Sequence, residues 1–202
     1  MRHELRGIIA SAGFASGDRV VVGHWAASPI GPMSDVMWAA PDGARTLFAP
    51  DDRVASFITA IYRFDQVRVG PVVVTGGERG VDVVAGDRHV HLVAGRGWRI
   101  SFPRPPWFTR LVEAPVARAA MGVRAYGTSP SGVREWYRAD TWRPVTEGSA
   151  SVAGVSLGRL APVEPPCRFG FSEPPRRPSV VAVRPLLEDP SGRLDQVVAG
   201  LA

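Results

Sequence analysis

The sequence predicts an α+β fold with a mainly antiparallel, strongly curved or barrel-like sheet and one or two packed helices. Two observations support this prediction. The 22 glycines and 19 prolines divide the chain into many short, valine-rich segments, which is typical of strands joined by turns. Only two longer stretches have the apolar pattern of helices. At 202 residues the chain fits one domain, 1–202, with a Pro- and Arg-rich surface segment at 162–178.

The positive charge of the chain comes from arginine alone. All 24 basic residues are arginine, and the chain contains no lysine or asparagine, a composition that we attribute to a GC-rich genome. A formal net charge of +5 spread along the sequence does not favour nucleic acid as a partner. The absence of lysine excludes Schiff-base chemistry, pyridoxal phosphate attachment and a P-loop, because each requires a lysine amine. We assign no cofactor.

The single cysteine and the hydropathy of the chain indicate a cytoplasmic location. Cys167 excludes an internal disulfide and suits a reducing compartment. It follows two prolines and has no histidine nearby, so we interpret it as a small buried hydrophobe and not as a nucleophile. The apolar part of residues 1–16 is too short for a signal peptide. No segment approaches the roughly 20 apolar residues that a membrane-spanning helix requires.

Strands are predicted along most of the chain. A first strand covers residues 19–25, and a hairpin pairs residues 35–40 with 44–48 across Pro41-Asp42-Gly43. If Asp42 and Gly43 form a two-residue loop, Trp38 pairs with Leu47 and Met37 with Phe48. Further strands are predicted at 67–74, 81–85, 89–93, 123–126, 133–137 and 179–183, with weaker extended segments at 149–160.

Two principal helices interrupt these strands. The first is predicted at residues 52–63, capped by Asp51 or Asp52, because apolar residues recur there at helical spacing: Val54, Phe57, Ile58, Ile61 and Tyr62. The second is predicted between residues 99 and 122, kinked or broken at Pro115. A short helix is expected at the end of the chain, at residues 193–201.

A His-x-His pair is the strongest candidate for a metal site. His89 and His91 lie two apart on a predicted strand and therefore project from one face. A two-residue turn at Gly86-Asp87 places Asp82 opposite His91 and Val84 opposite His89, with valine and leucine facing the core. His24 is the candidate third ligand. The competing interpretation is that this face meets water and binds no metal.

Aromatic and acidic residues from the first strands and the first helix form a second candidate site. They combine apolar walls with polar groups, which suits a ligand pocket. Core packing accounts for most of them equally well. The predicted ligand-binding residues are His24, Trp25, Asp35, Trp38, Tyr62 and Asp65.

Arginine and aromatic side chains alternate in a third candidate, which has the composition of an interfacial or phosphate-contacting segment. A packed helix with arginines reaching into solvent is the competing interpretation. The residues are Arg96, Trp98, Arg99, Phe102, Arg104, Trp107, Phe108 and Arg110, with a similar set at Arg134, Trp136, Arg138, Trp142 and Arg143.

These candidates favour a non-enzymatic pocket that binds a small, partly apolar molecule. One alternative is an enzyme that uses the His and Asp residues, with or without a metal. Another is a module that binds a partner or an anionic surface through the Arg- and Trp-rich stretch. The chain contains no Gly-x-Gly-x-x-Gly motif, which removes support for a dinucleotide-binding fold. The sequence leaves the ligand and the oligomeric state open.

Overall fold

The computed structural model describes residues 1–99 and 126–200. The second principal helix predicted from the sequence lies outside the described residues, except for residue 99. The strands are β1 Arg2–Glu4, β2 Arg6–Phe14, β3 Arg19–Ala27, β4 Met33–Ala39, β5 Arg45–Ala49, β6 Gln66–Val69, β7 Val72–Gly77, β8 Gly80–Ala85, β9 Arg88–Ala94, β10 Trp98–Arg99, β11 Tyr126–Thr128, β12 Arg134–Val152, β13 Val155–Ser156, β14 Leu160–Ala161 and β15 Ser179–Glu188. The helices are α1 Asp52–Thr59 and α2 Arg193–Ala199.

The strands form one sheet whose main path has the order β6-β5-β4-β3-β2-β15-β12-β9-β8-β7. Neighbours along this path are antiparallel except β5 and β6, which are parallel. Strand β12 has 19 residues and pairs first with β15 and then with β9. A register shift lies between Val145 and Glu147, where β12 begins to pair with β9. This long strand therefore joins the two halves of the sheet.

The sheet curls until residues from its two halves meet in one apolar core. Val20 and Trp38 from the first half pack in the same cluster as Val83 and Leu92 from the second. Only Gly70 and Pro71 separate β6 from β7, although these strands lie at opposite ends of the path. The fold is thus a curled half-barrel. It is mainly β, which corrects the α+β prediction, because the two helices of the described residues have only 8 and 7 residues.

The helices cover the outer face of the first half of the sheet and form a second apolar core there. Asp51 caps α1 by accepting a hydrogen bond from the amide of Val54 at 2.8 Å. The sequence predicted that this helix would end at residue 63, but it ends at Thr59. The amide of Arg63 instead donates to the carbonyl of Phe169 at 2.9 Å, which draws the chain away from the helix axis.

The Pro- and Arg-rich segment 162–178 contains neither helix nor strand. Val163, Cys167 and Phe169 are nevertheless buried against the outer core, so the segment packs onto the sheet. Burial raises the pKa of the Cys167 thiol to about 12. A thiol with that pKa stays protonated at neutral pH, which makes it a poor nucleophile.

The register of the β8–β9 hairpin is the predicted one. Asp82 lies opposite His91 and Val84 opposite His89. The register of the β4–β5 hairpin differs by one residue, because Met37, and not Trp38, lies opposite Leu47. The amide of Gly43 donates to the carbonyl of Ala40, and Gly43 has a φ of +90°, so the loop has three residues with a glycine bulge.

Two further strand predictions need correction. The predicted strand 67–74 is divided into β6 and β7, since Pro71 cannot donate a ladder hydrogen bond. Strand β2 was not predicted, although it lies at the centre of the sheet between β3 and β15. No helix in the described part of the chain is long and apolar enough to cross a lipid bilayer.

The inner core can be tested by comparing a buried and an exposed position. Leu92 is 1% exposed, and we expect Leu92→Ala to lower the free energy of unfolding by about 2–5 kcal/mol. Val84 lies on β8 but is 41% exposed, so Val84→Ala should change the free energy of unfolding by less than about 0.5 kcal/mol. Urea denaturation measures both. Equal losses for the two variants would contradict the register.

Candidate functional site

Asp35 is a buried carboxyl group on the helix-covered face of the sheet. Asp35 is only 1% exposed. Its Oδ1 accepts a hydrogen bond from Trp25 Nε1 at 3.0 Å. Gly23 lies opposite Asp35, and a Cβ at that position would come within 2.3 Å of Oδ1. Glycine is therefore required beside this pair. The second oxygen, Oδ2, is buried and has no hydrogen-bond partner among the described residues.

Glu135 is a second buried carboxyl group, on β12. The alternation of the strand turns Val133, Glu135 and Tyr137 towards the same face, and Glu135 is 0% exposed. Its Oε2 accepts hydrogen bonds from the hydroxyls of Tyr62 at 3.0 Å and Tyr137 at 3.1 Å. The two hydroxyls also contact each other. Oε1 has no partner in the part of the chain that the structure describes.

The rings of the two tyrosines pack against residues of the 162–178 segment. Tyr62 follows α1, and its ring lies so close to Gly170 that a Cβ there would approach Cδ1 to 2.6 Å. The ring of Tyr137 packs against Phe171 with 6.0 Å between the centroids. Both tyrosines are only partly buried, whereas Glu135 behind them is fully buried. Glu135 is therefore enclosed more completely than the two tyrosines that contact it.

Burial controls the charge of both carboxyl groups. Desolvation raises the pKa of Glu135 to about 8, although the hydrogen bonds from Tyr62 and Tyr137 lower it in part. Desolvation raises the pKa of Asp35 to about 7, against the opposing hydrogen bond from Trp25. Burial also raises the pKa of Tyr137, and the charges of Glu135 and Asp35 raise it further. Both carboxyl groups thus act on the pKa of the same phenol, Tyr137.

A count of hydrogens supports a protonated Glu135. Three contacts join Glu135 Oε2, the Tyr62 hydroxyl and the Tyr137 hydroxyl, and each hydrogen bond needs one hydrogen. The phenols supply two hydrogens, and an ionised carboxylate supplies none. A proton on Oε2 provides the third: protonated Glu135 then donates to one phenol, instead of accepting from it, and accepts from the other, which closes a ring of three hydrogen bonds. In this state Oε1 is a carbonyl-like acceptor that lacks a donor.

The six residues predicted to bind ligand are not gathered in one place. Trp25, Asp35 and Tyr62 lie on the helix-covered side, and the first two are hydrogen-bonded. Trp38 faces the inner core, where its Nε1 donates to Asp18 at 2.8 Å.

His24 and Asp65 also lie apart from the buried carboxyls. His24 is only partly buried, and its Nδ1 lies 2.8 Å from Ser34 Oγ. Asp65 is exposed and forms an ion pair with Arg45 at 2.8 Å. Strand alternation explains the separation of His24 from its neighbour Trp25, because successive side chains point to opposite faces.

The proposed metal ligands come from two strands, β9 for His89 and His91 and β3 for His24. His91 Nδ1 lies 2.6 Å from Asp82 Oδ1 on an exposed face, and His89 lies opposite Val84 on that face. His24 lies on β3, in the other half of the sheet. Within residues 1–99 and 126–200, no group of three or more His, Cys, Asp or Glu side chains could hold a metal ion.

The Arg- and aromatic-rich candidate lies partly outside the described residues, since residues 102–110 are not among them. Among the described residues, the first set contacts the second where β10 pairs with β12. Trp98 stacks on Trp142 with 6.2 Å between the ring centroids, and Arg177 lies 5.8 Å from the centre of the Trp142 ring. The two sets of residues that share this composition in the sequence are therefore adjacent in the fold.

Sequence reasoning did not identify Glu135 and Tyr137 as site residues. A signal was present in residues 133–137, because Glu135 shares its strand face with the apolar Val133 and with Tyr137. The residues singled out from the sequence, Arg134, Trp136 and Arg138, lie on the other face of β12. A carboxyl group at a strand position whose neighbours two residues away are apolar or aromatic is the pattern that would have indicated the site.

Comparison with known proteins gives no relative. No family model matches the chain, and neither a curated protein nor a solved structure matches it.

The raised pKa of Glu135 predicts how stability depends on pH. The folded state holds this proton up to about pH 8, whereas an unfolded chain releases it near the ordinary value of 4.5. The folded state therefore binds more protons between these values, and the free energy of unfolding should fall as pH rises through this range. Glu135→Gln cannot titrate, so it should lose less stability than the natural protein between pH 5 and pH 8.

Thermal unfolding at pH 5, 6.5 and 8 measures this effect. Glu147→Gln is the matched control, because Glu147 is an exposed glutamate on the same strand and should follow the natural protein. If Glu135→Gln and the natural protein show parallel pH profiles, Glu135 is ionised in the folded state and the three-hydrogen ring is wrong.

Proposed function

We propose that this protein binds a small, partly apolar molecule at the site formed by Asp35, Glu135, Tyr62 and Tyr137. The observation that carries the proposal is the pair of unpartnered oxygens, Asp35 Oδ2 and Glu135 Oε1, on carboxyl groups that are 1% and 0% exposed. A buried polar atom without a partner costs about 1–3 kcal/mol. A ligand that donates hydrogen bonds to these oxygens would remove that cost.

The surroundings of the carboxyl groups support an apolar ligand body. Trp25 contacts Asp35, whereas Tyr62 and Tyr137 contact Glu135, and Phe171 packs on the ring of Tyr137. Ligand sites in proteins commonly combine apolar walls with a few convergent polar groups. Tyr62 and Tyr137 are only partly buried, and the proposal places the entry of the ligand beside their rings.

An enzyme is the second candidate, and one observation favours it. A carboxyl group whose pKa is about 8 can exchange a proton near neutral pH, which suits a general acid or base. The hydroxyl of Tyr62 would relay the proton between Glu135 and a bound substrate. The histidines that the sequence analysis considered for this role lie on other faces of the sheet.

Ligand-observed NMR with a panel of alcohols and amines on apolar bodies of four to eight carbons tests the proposal. Glu135→Met removes the acceptor while keeping the side-chain length, and we expect roughly 2- to 10-fold weaker binding of each panel member that binds. Trp38→Phe is the control, because Trp38 lies in the inner core. It should leave the affinities unchanged even if it lowers stability.

Two outcomes would contradict the proposal. One is that no member of the panel binds the natural protein. The other is that Trp38→Phe weakens binding as much as Glu135→Met does, which would place the ligand in the inner core.

A further inference from the structure

The carboxyl group of Glu135 is closed off from solvent in this structure. Glu135 is 0% exposed, and the 162–178 segment packs on the rings of the two tyrosines that contact it. A ligand that uses this carboxyl group therefore reaches it only after an element beside the site has moved. The elements beside the site differ in what such a movement would break.

Regular secondary structure holds two of these elements in place. Strand β12 is paired on both sides of Glu135, with Leu187 of β15 and with Gly127 of β11. Helix α1 is anchored in the outer core by Phe57, which is 0% exposed. Moving either element would break a strand ladder or open the outer core. The 162–178 segment contains neither helix nor strand, so it is the element that moves at the lowest cost.

Within this segment, residues 164–176 form a loop whose two ends meet. The amide of Val163, just before the loop, donates to the carbonyl of Arg176 at 2.8 Å. The Nε of Arg176 donates to the carboxylate of Glu164 at 3.0 Å. Compact loops of about 6–16 residues with joined ends are Ω-loops, which are frequently functional. Joined ends let such a loop move as one body while the sheet stays intact.

A carboxylate inside the loop keeps it compact. Glu173 accepts hydrogen bonds from the backbone amides of Cys167 at 2.6 Å and Arg168 at 2.9 Å. Both bonds lie within the loop and are kept if the loop separates from the sheet. By contrast, Arg45 of the sheet donates to the backbone carbonyl of Arg168 at 3.0 Å. Water replaces such a donor when the loop separates, so little hydrogen bonding is lost.

The middle of the loop lies on the two phenols of the candidate site. Gly170 is so close to the ring of Tyr62 that a Cβ would come within 2.6 Å of Cδ1. Phe171 packs on the ring of Tyr137, with 6.0 Å between the centroids. A Cβ on Gly127 would come within 2.3 Å of Phe171 Cδ2, so the loop is also closely fitted to β11. The loop therefore contacts both rings that enclose the buried carboxyl group.

We propose that residues 164–176 are a lid, which opens as a unit and admits the ligand to Glu135 beside the rings of Tyr62 and Tyr137. The inference rests on the proposed function, since it describes how that site is reached. Opening exposes Phe169, which is 5% exposed in the closed lid and belongs to the outer core. Because this apolar side chain favours the closed state, the open state is the minor one.

The thiol of Cys167 reports the opening of the lid. It is the only cysteine of the chain, lies within the lid and is 3% exposed. N-ethylmaleimide in excess labels this thiol only while it is exposed. If the lid opens while the rest of the fold stays intact, labelling without urea should be at least about 100-fold faster than global unfolding allows. The labelling rate should also depend less on urea than global unfolding does.

Three variants separate opening of the lid from unfolding of the whole chain. Leu92→Ala destabilises the inner core and should leave the labelling rate without urea unchanged. Gly170→Ala places a methyl group against Tyr62 and should raise the rate roughly tenfold. Gly70→Ala is its matched control, because a Cβ at Gly70 has no neighbouring atom within 4 Å.

One result of the labelling experiment would overturn the lid. If Leu92→Ala speeds up labelling by the factor by which it increases the unfolded population, Cys167 is exposed only by global unfolding. Equal rates for Gly170→Ala and Gly70→Ala would also contradict a lid that rests on Tyr62.

A disulfide between the lid and β11 tests the role of the lid in binding. A Cβ at Gly127 would lie 3.1 Å from Phe171 Cγ, which brings the two positions within reach of a disulfide. The variant combines Gly127→Cys and Phe171→Cys with Cys167→Ala, so that only one disulfide can form. We expect the reduced form to bind alcohols or amines of the panel and the oxidised form, with its lid fixed, to bind none.

The outcomes distinguish the lid from the proposed function. Binding of panel members by the oxidised form as tightly as by the reduced form would overturn the lid as the entry and leave the proposed function intact. If the natural protein binds no panel member, the proposed function is contradicted, whereas the labelling rates of Cys167 still decide whether the lid opens.

Discussion

The fold depends on the backbone hydrogen bonds of β12, which has two different neighbours along its length. Its first part pairs with β15 and its last part with β9, so one strand belongs to both halves of the sheet. The shift between Val145 and Glu147 lets the strand bend as it changes partner. Without this strand, β7, β8 and β9 would have no hydrogen-bonded connection to the first half along the main path.

The same strand places the candidate site. Pairing with β15 sets Glu135 opposite Leu187 and Tyr137 opposite Pro185, which directs both side chains to the helix-covered face. The first half of the sheet brings Asp35 and Trp25 to that face through the β3–β4 ladder. Tyr62 reaches the site because α1 ends early and the chain turns towards Phe169. Residues far apart in sequence thus meet through strand order.

The site conflicts with ordinary core packing. Carboxyl groups are rarely fully buried without a charged partner, and the unpartnered oxygens here lower the stability of the folded state. By contrast, the inner core consists of valine, leucine, alanine and aromatic side chains that fill the curl of the sheet. Local departures from efficient packing occur most often where a protein binds or reacts, which is why the outer face carries the functional proposal.

The sequence by itself determined those features that depend on local periodicity. Alternation and turn chemistry specified the β8–β9 hairpin with its register, and the spacing of Val54, Phe57 and Ile58 specified α1, with Asp51 and Asp52 as the two candidates for its cap. Local rules were insufficient for the β4–β5 hairpin, because both faces of these strands are apolar and a shift of one residue leaves the pattern almost unchanged.

Only the tertiary structure decided which strands are neighbours and which polar side chains share a face. The curl of the sheet, the central position of β2 and the change of partner along β12 arise from pairings between distant segments, which no local pattern encodes. For the same reason the sequence placed His24, Trp38 and Asp65 with Asp35 but did not find Glu135. A carboxyl group becomes distinctive only when the residues that bury it come from other strands.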